Sequence, residues 1–133
     1  MLFGKEHVER YVATDGVEGH DWQGTTVLIL TTIGRKSGRQ RSTPLIYQPY
    51  GDAVLVVASN GGADAPPLWY RNLEANPEVQ VQVKGDSYTA RARTASPDEK
   101  PDMWRTMAAT WPAYDDYQRK TDREIPVVVL ERV

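Results

Sequence analysis

"TTVLILTTIGRKSGRQRSTPLIY", residues 25–47, is the stretch that decides the fold. Its first nine residues are β-branched and almost wholly apolar, which is typical of a strand buried on both faces. Gly34 and Gly38 predict a turn after that strand. Residues 42–50 then predict a second strand, with Pro44 favouring its start. The stretch therefore predicts two central strands joined by a turn.

The turn between these strands concentrates positive charge. Arg35, Lys36, Arg39 and Arg41 fall within seven positions, and no Asp or Glu lies between residues 22 and 51. An ordinary exposed turn mixes charges of both signs. Guanidinium groups, together with turn N–H groups, bind phosphate and carboxylate. The turn therefore predicts a site for a small anion, and the alternative is a solvated hairpin tip with no specific role.

Composition restricts the classes of function that remain. The chain of 133 residues carries a net charge of −2, so it lacks the overall basic character of most nucleic-acid-binding proteins. It has no cysteine, which excludes a disulfide framework and thiolate chemistry. The two histidines, His7 and His20, are not part of any cluster of ligand residues, so the sequence predicts no metal site.

The remaining elements predict a protein that is mainly β with flanking helices. Residues 1–24 form an N-terminal helix and lead-in, with helical apolar spacing at Val8, Tyr11 and Val12. Further strands are predicted at 53–59, 78–85, 86–94 and 125–133, and helices at 68–76, after the capping box at 96–99, and at 111–123. Pro101 sits awkwardly in the helix that follows the capping box. Since several strand junctions are short enough for hairpins, an antiparallel sheet closed into a small barrel is expected.

Two further stretches are candidates for a binding site. In "ASNGGADAPP" (58–67), glycines allow close approach of a ligand to the backbone, and Ser59 and Asn60 offer hydrogen bonds. The alternative is a plain connection between a strand and a helix. Trp111, Tyr114 and Tyr117 are spaced three apart along a predicted helical segment. They favour a wall against a flat ring, and the alternative is a stripe facing the core.

The chain shows no arrangement that would make a protein side chain the nucleophile. It lacks cysteine and a G-x-S-x-G motif, and no serine lies near either histidine in the sequence. Asp115 and Asp116 are adjacent, so on a helix they point apart and cannot act as a carboxylate pair. If the protein is an enzyme, a cofactor is expected to supply the chemistry.

Three stretches together carry a specific resemblance. They are "LTTIGRKSGRQRSTPLIY" (30–47), "VVASNGGADAPPLWYRNLEANPEVQVQV" (56–83) and "WPAYDDYQRKTDREIPVVVLERV" (111–133). From about Thr25 to its end the chain resembles the deazaflavin-dependent nitroreductase and quinone reductase family of actinobacteria. The resemblance implies a single domain over 1–133, a split β-barrel related to FMN-binding barrels. It also implies the reduced 8-hydroxy-5-deazaflavin coenzyme F-420 as hydride donor.

The resemblance also implies roles for individual residues. Arg35, Lys36 and Arg41 are expected to hold the phosphate and tail of the coenzyme. Thr43 and Pro44 are expected to line its channel, and Ser59, Asn60 and Gly61 to lie near its ring. Trp69 and Asn72, on one helix face, are also expected to contact it. Tyr114 and Tyr117 resemble the family's active-site tyrosines and are expected to be catalytic. Trp111, Tyr114 and Tyr117 are expected to bind the acceptor substrate.

The acceptor is expected to be a small electron-poor molecule. Thr43, Asn60 and Trp111 depart from the family pattern of Asn, Lys and Tyr, which favours quinones and conjugated enones or lactones of the coumarin or aflatoxin type over nitroaromatic compounds. The expected protein is a cytoplasmic monomer or weak dimer without a nucleic-acid partner. Leu2, Phe3 and neighbouring apolar residues of the first helix predict only weak peripheral association with the inner face of the membrane.

Other interpretations stay open at this point. An FMN-binding split-barrel oxidoreductase would keep the fold and change the cofactor, although a single phosphate needs fewer cations than this turn provides. A deazaflavin carrier would bind the same ligand without catalysing a reaction. Nucleic-acid binding through the turn with aromatic stacking is disfavoured by the net negative charge.

Overall fold

The computed structural model describes residues 2–133. The helices are α1 (Gly4–Ala13), α2 (Leu68–Ala75), α3 (Lys100–Thr110) and α4 (Ala113–Arg119), and a 3₁₀ turn covers Asn60–Gly62. The strands are β1 (Asp21–Trp22), β2 (Thr25–Ile33), β3 (Gln40–Ile46), β4 (Gln48–Tyr50), β5 (Ala53–Val57), β6 (Glu78–Val83), β7 (Asp86–Thr94) and β8 (Val127–Arg132). Within the described residues, no helix is long and apolar enough to cross a membrane.

The sheet closes because one bent strand joins its two edges. All pairings are antiparallel, and the order runs β2-β6-β7-β8-β5-β4, with β3 on the other side of β2. Only Tyr47 separates β3 from β4. The path therefore returns to β2, which makes the split β-barrel that the sequence predicted, with helices outside it.

The interior of the barrel follows from the apolar pattern of its strands. Strand β2 is buried along most of its length, as its unbroken apolar run predicted. On β6 the alternation is confirmed, since Val79 and Val81 are each 1% exposed while Gln80 faces solvent. The last strand, β8, is buried over its first four residues. Burial of these side chains is the main force that stabilises the barrel.

Three local predictions differ from the structure. Pro44 lies in the middle of β3 rather than at its start, and pairs with Ile29 of β2. This is tolerated because, among the described strands, β3 has β2 as its one partner, so no ladder bond needs a Pro44 N–H. The strand predicted over 42–50 is two strands, because Tyr47 interrupts it. The lead-in contains the short strand β1, which the sequence did not reveal.

The two helices before β8 show one confirmed prediction and one wrong one. The capping box forms, with Ser96 N donating to Glu99 Oε1 at 2.9 Å and Glu99 N donating to Ser96 Oγ at 3.4 Å. Pro101 fits after all, because it lies in the first turn of α3, where its missing N–H breaks no helical bond. The helix predicted over 111–123 spans only α4. Trp111 is extended (φ −139°, ψ 84°), since the following proline disfavours helical geometry there.

Candidate active site

The cationic turn is closed by its own backbone. Gly34 N donates to Arg39 O at 2.7 Å, and Gly38 N donates to Gly34 O at 2.8 Å. Ser37 Oγ accepts from Arg39 N at 3.2 Å and lies where a Cβ on Gly34 would clash, at 2.6 Å. The tight backbone leaves the charged side chains on the outside of the turn.

Asn72 of α2 fixes the turn to the barrel. Its Oδ1 accepts a hydrogen bond from Arg35 N at 3.1 Å, and its Nδ2 donates to Thr32 Oγ1 at 3.2 Å. The side chain is 7% exposed. Because a buried amide that loses its partners is costly, Asn72 holds the start of the turn in one place. Asn72 therefore lines the site and also fixes the position of the turn.

A cavity of about 960 Å³ lies between the turn and α2. We call it the turn cavity, and it is lined by Gly34, Arg35, Lys36, Ser37, Arg41, Thr43, Asn60, Pro66, Pro67, Leu68, Trp69 and Asn72. Its size lies at the upper end of the range for cavities that hold cofactors and drug-sized ligands. It combines cations on one side with apolar side chains of the 66–69 segment on the other.

The cations of the turn cavity have no carboxylate partner inside the protein. Among residues 2–133, no Asp or Glu oxygen lies within 4.0 Å of Arg35, Lys36 or Arg41. Elsewhere, Arg93 and Arg119 are paired with acidic side chains. The donor set of the turn cavity therefore suits a ligand with several negative charges.

A second cavity, of about 400 Å³, meets the turn cavity at Thr43. We call it the aromatic cavity, and it is lined by Phe3, Gly4, His7, Trp22, Val27, Thr43, Pro44, Leu45, Ile46, Val57, Ser59, Gly61, Trp111, Tyr114 and Tyr117. Strand β3 thus borders both cavities. A ligand in one cavity can contact a ligand in the other only near Thr43 and the 59–61 loop.

Tyr114 and Tyr117 of α4 place their rings edge to face, with centroids 6.2 Å apart. Tyr114 is 5% exposed, and burial raises its pKa, with a smaller contribution from Tyr117. In the described part of the chain, no group hydrogen-bonds the Tyr114 hydroxyl. Every side-chain N or O atom that is fully buried there has a hydrogen-bond partner, so this hydroxyl is not fully buried. The Tyr114 hydroxyl therefore reaches the cavity, protonated at neutral pH and free to donate.

Three aromatic side chains form the other wall of the aromatic cavity. Trp22 and Trp111 have ring centroids 5.9 Å apart at 35°, and Phe3 meets Trp22 edge to face at 5.6 Å. The Trp22 indole is fixed by a hydrogen bond from Nε1 to Leu2 O at 2.8 Å. Such a wall favours a flat, electron-poor ring.

The loop after β5 separates the two cavities. Asn60 borders the turn cavity, whereas Ser59 and Gly61 border the aromatic cavity. Arg123, which the sequence did not single out, holds this loop by donating from Nε to Ala63 O at 2.8 Å and from NH2 to Ser59 O at 2.8 Å. The Arg123 guanidinium therefore makes its hydrogen bonds within the protein.

The structure brings all the predicted site residues to the two cavities. The turn cavity contains Arg35, Lys36, Arg41, Thr43, Asn60, Trp69 and Asn72, and the aromatic cavity contains Thr43, Pro44, Ser59, Gly61, Trp111, Tyr114 and Tyr117. Sequence reasoning missed Phe3, His7 and Trp22, because nothing in the spacing of residues 1–24 indicates that they fold against β3. Pro44, Ser59 and Gly61, expected along the coenzyme, face the tyrosines.

A split barrel whose cationic cavity meets an aromatic one suits an oxidoreductase that holds an anionic cofactor beside a flat acceptor. The family model described as "F420H(2)-dependent quinone reductase" matches residues 3–132. An "F420H(2)-dependent quinone reductase" of Mycobacterium tuberculosis is 40% identical over 131 residues, covering 95% of this chain and 87% of the relative.

Solved structures agree with this assignment. A structure titled "F420-H2 Dependent Reductase (FDR-A)" is 38% identical with a TM-score of 0.73, over 79% of this chain and 93% of that one. Another, titled "domain-swapped dimer", is 37% identical with a TM-score of 0.77, over 96% of both chains. The chain belongs to the F420H(2)-dependent quinone reductase family. It is a reductase whose cofactor and hydride donor is the reduced deazaflavin coenzyme.

Proposed function

We propose that this protein transfers a hydride from reduced coenzyme F-420 to quinones and to conjugated enones or lactones. The observation that carries the proposal is the meeting of a cationic cavity and an aromatic cavity at Thr43. A reductase must hold its donor and its acceptor in contact at the reacting atoms and keep them apart elsewhere. Two cavities with one shared wall meet that need.

The turn cavity fits the coenzyme by the chemistry of its donors. The coenzyme carries a phosphodiester and a polyglutamate tail, and Arg35, Lys36 and Arg41 line the cavity with no carboxylate of residues 2–133 within 4.0 Å. When bound, the reduced coenzyme supplies the hydride. The protein's own part is to hold the anionic tail at the turn and to direct the ring towards the junction at Thr43, where Pro44 and the 59–61 loop open into the aromatic cavity.

The aromatic cavity fits a flat acceptor with a carbonyl oxygen. Trp22 and Trp111 offer ring faces, and the Tyr114 hydroxyl offers a free donor. A hydrogen bond from Tyr114 stabilises the negative charge that develops on the acceptor oxygen as the hydride arrives. Tyr117 packs beside Tyr114 and completes the same wall. Nitroaromatic compounds are secondary candidates, and quinones and aflatoxin- or coumarin-type lactones are the preferred ones.

The first test is a fluorescence titration of the purified protein with oxidised F-420, FMN and FAD. We expect the deazaflavin to bind with micromolar or tighter affinity, and Arg35→Ala and Lys36→Ala each to weaken binding by about tenfold, because a charged hydrogen bond to an anion contributes about 1.5–3 kcal/mol. Arg39→Ala is the matched control. It removes the same charge from the same turn, but Arg39 does not line the turn cavity.

Each alternative predicts a different result. Preference for FMN would be consistent with the barrel fold but would contradict the assignment of the deazaflavin as cofactor. Tight deazaflavin binding without oxidation of the reduced form by any quinone or enone would indicate a carrier. Equal losses in Arg35→Ala and Arg39→Ala would show that the turn acts only through its general charge.

Assembly and location are separate proposals. We expect a monomer or weak dimer, which light scattering at several protein concentrations will decide. Two apolar side chains of the N-terminal region are exposed, Phe3 at 60% and Val12 at 49%. Phe3 precedes α1 and Val12 lies on it, and α1 also carries Lys5, Glu6 and Glu9. These exposed side chains support no more than weak peripheral binding to membranes, testable by sedimentation with lipid vesicles.

A further inference from the structure

His7 is a buried histidine that borders the aromatic cavity and that the proposed hydride transfer leaves without a role. It lies in the first half of α1 and is 2% exposed. It lines the cavity together with Tyr114 and Tyr117, and these three are the titratable side chains of that lining. Its ring centroid lies 6.1 Å from that of Trp22.

The orientation of the His7 ring is fixed at one end. Its Nε2 lies 2.8 Å from Gly19 O, and since a carbonyl oxygen only accepts, Nε2 must carry the proton. The backbone of Gly19 is in the left-handed region (φ +106°), and a Cβ there would lie 2.9 Å from His7 Cδ2 and 3.0 Å from Nε2. Gly19 therefore covers the Cδ2–Nε2 edge of the imidazole, and Nδ1 lies on the opposite edge.

The Nδ1 atom is open to the aromatic cavity. No group within residues 2–133 hydrogen-bonds Nδ1. In the same range, every side-chain N or O atom that is fully buried has a hydrogen-bond partner, so Nδ1 is not fully buried. The small accessible part of His7 must therefore include Nδ1. The space that His7 borders is the aromatic cavity, so Nδ1 is a polar atom presented to the acceptor.

We propose that His7 is the proton donor of the reduction: its Nδ1–H, in the imidazolium form, protonates the acceptor oxygen. This inference rests on the proposed function. Reduction of a carbonyl acceptor needs one hydride and one proton, and the tyrosine hydroxyl, with its raised pKa, is better suited to stabilise charge than to give up its proton.

The step balances with groups already described. The acceptor gains a C–H or O–H bond from the hydride of the reduced coenzyme, and an O–H bond forms as the Nδ1–H bond of His7 breaks. The imidazole is left neutral with its proton on Nε2, still bound to Gly19 O. Solvent returns a proton to Nδ1 before the next turnover, and this is balanced by the second hydrogen of the reduced coenzyme, which would be released to solvent as a proton.

The charged and titratable groups around His7 have partners of their own or are exposed. On α1, Lys5 pairs with Glu9 and Arg10 pairs with Glu18, while Tyr11 accepts a hydrogen bond from Lys84 N. Glu6, also on α1, is exposed. From the 14–24 segment, His20 is bound at both nitrogens, to Asp21 Oδ1 at 2.9 Å and Tyr47 OH at 2.8 Å. Across the cavity lie Tyr114 and Tyr117, and β3 contributes Thr43, Pro44, Leu45 and Ile46, none of them charged.

The chain has only two histidines, so the protein with ¹⁵N-labelled histidine gives a direct test by NMR. In the neutral form, long-range ¹H–¹⁵N correlations should show His7 protonated at Nε2 and bare at Nδ1. Saturation with oxidised F-420 and menadiol, a hydroquinone product, should shift the His7 Nδ1 resonance. His20, enclosed by its own partners, is the internal control. An unmoved His7 Nδ1 at saturating menadiol would overturn the proposal.

Two variants separate proton donation from the structural bond to Gly19. In His7→Gln the amide can still donate to Gly19 O, whereas in His7→Asn it cannot reach that atom. Loss of a general acid should lower kcat for menadione about 100-fold in both, with little change in KM. The limb of the native kcat profile that falls as pH rises should be absent in His7→Gln.

The outcomes distinguish this inference from the proposed function. If the native protein neither binds the deazaflavin nor reduces menadione, the proposed function fails. If it does both, and His7→Gln matches the native kcat and pH profile while His7→Asn is impaired, His7 is only a structural residue. Loss of the falling limb in a His7→Gln variant that binds the coenzyme normally would support the acid role.

Discussion

At the scale of single residues, one ion-pair network lies away from both cavities and joins three elements. Arg93 donates to both carboxylate oxygens of Glu99, at 2.7 and 2.9 Å, and to Glu131 at 3.0 Å. The hydrogen bonds from Arg93, helped by the N–H of Ser96, lower the pKa of Glu99 from 4.5 to about 2. The pair joins β7 and β8 to the start of α3.

The lowered pKa predicts how Glu99 contributes to stability as pH changes. Because the folded pKa is below the unfolded one, the contribution is full above about pH 4.5 and is lost as pH falls towards about 2. Glu99→Gln should therefore lower Tm at pH 7, and the difference from the native protein should shrink between pH 4.5 and 2. Thermal unfolding followed by circular dichroism measures this.

The matched control for Glu99 is Glu9→Gln, which removes an exposed carboxylate whose distance to Lys5 is 3.9 Å. We expect almost no change in Tm at either pH, because such surface pairs contribute little. A Tm difference for Glu99→Gln that persists unchanged at pH 2 would contradict the assignment.

Residue identity was enough to predict which side chains line the two cavities when they lie on short stretches with a strong pattern. Arg35, Lys36, Arg41 and the tyrosines of α4 are of this kind. His7 could not be predicted, because its position depends on α1 folding over β3 and on a bond to Gly19, twelve residues away. Such contacts come from tertiary packing and leave no local pattern in the sequence.

At the scale of elements, the position of α4 depends on a glycine in the 3₁₀ turn. Gly62 has φ +87°, and a Cβ there would lie 2.7 Å from Tyr117 O and 3.0 Å from Tyr117 Cα. The backbone of α4 thus packs directly on the loop after β5. That contact sets how far Tyr114 and Tyr117 project into the aromatic cavity.

Gly62→Ala should therefore impair both stability and acceptor binding. The left-handed backbone alone costs about 1–3 kcal/mol for a residue with a side chain, and the clash adds to this by pushing α4 away. We expect a lower free energy of unfolding in urea and a KM for menadione raised several-fold, with deazaflavin affinity much less affected.

Gly51→Ala provides the comparison for Gly62. Gly51 also has positive φ (+60°), but a Cβ there meets nothing within 4 Å, and it lies in the β4–β5 turn. It should lose stability through backbone strain alone and keep its KM. If both variants show the same KM, the packing of α4 on Gly62 does not shape the acceptor site.

Most elements could be predicted from the sequence because each has a local cause. The apolar run of β2, the alternation of β6 and the capping box before α3 are examples. The division at Tyr47 could not, since Tyr47 is an ordinary strand residue whose break arises from barrel closure and whose hydroxyl contacts His20. The start of the predicted 111–123 helix was wrong for a local reason, Pro112, that was present in the sequence.

At the scale of the whole molecule, charge is distributed unevenly. The net charge is −2, yet residues 22–51 carry four cations and no acid. Three of those cations line the turn cavity, while no Lys, Arg, Asp or Glu among residues 2–133 lines the aromatic cavity. If the coenzyme and the acceptor occupy these cavities as proposed, we expect electrostatic binding of the coenzyme and apolar binding of the acceptor.

This separation predicts different responses to salt. The Kd for oxidised F-420 should rise roughly tenfold between about 0.05 M and about 0.5 M NaCl, because added salt screens exposed charges over a shorter distance. The Kd for menadiol should stay nearly constant. Isothermal titration calorimetry at several salt concentrations measures both.

The double variant Arg35→Ala/Lys36→Ala is the control for the salt response. It should bind the coenzyme more weakly and with a shallower dependence on salt, since fewer charges remain to be screened. Equal salt dependence in the native protein and the double variant would place the electrostatic attraction outside the turn.

The shared wall at Thr43 has a consequence for how such a protein can evolve. Among the described residues the two cavities have only Thr43 in common. On the proposed function, substitutions at Phe3, Trp22 or Trp111 should therefore alter the range of acceptors while leaving coenzyme binding intact. A duplicated gene could acquire a new substrate through changes in one compartment, without passing through forms that have lost their source of electrons. A substitution at Thr43 would change the lining of both cavities.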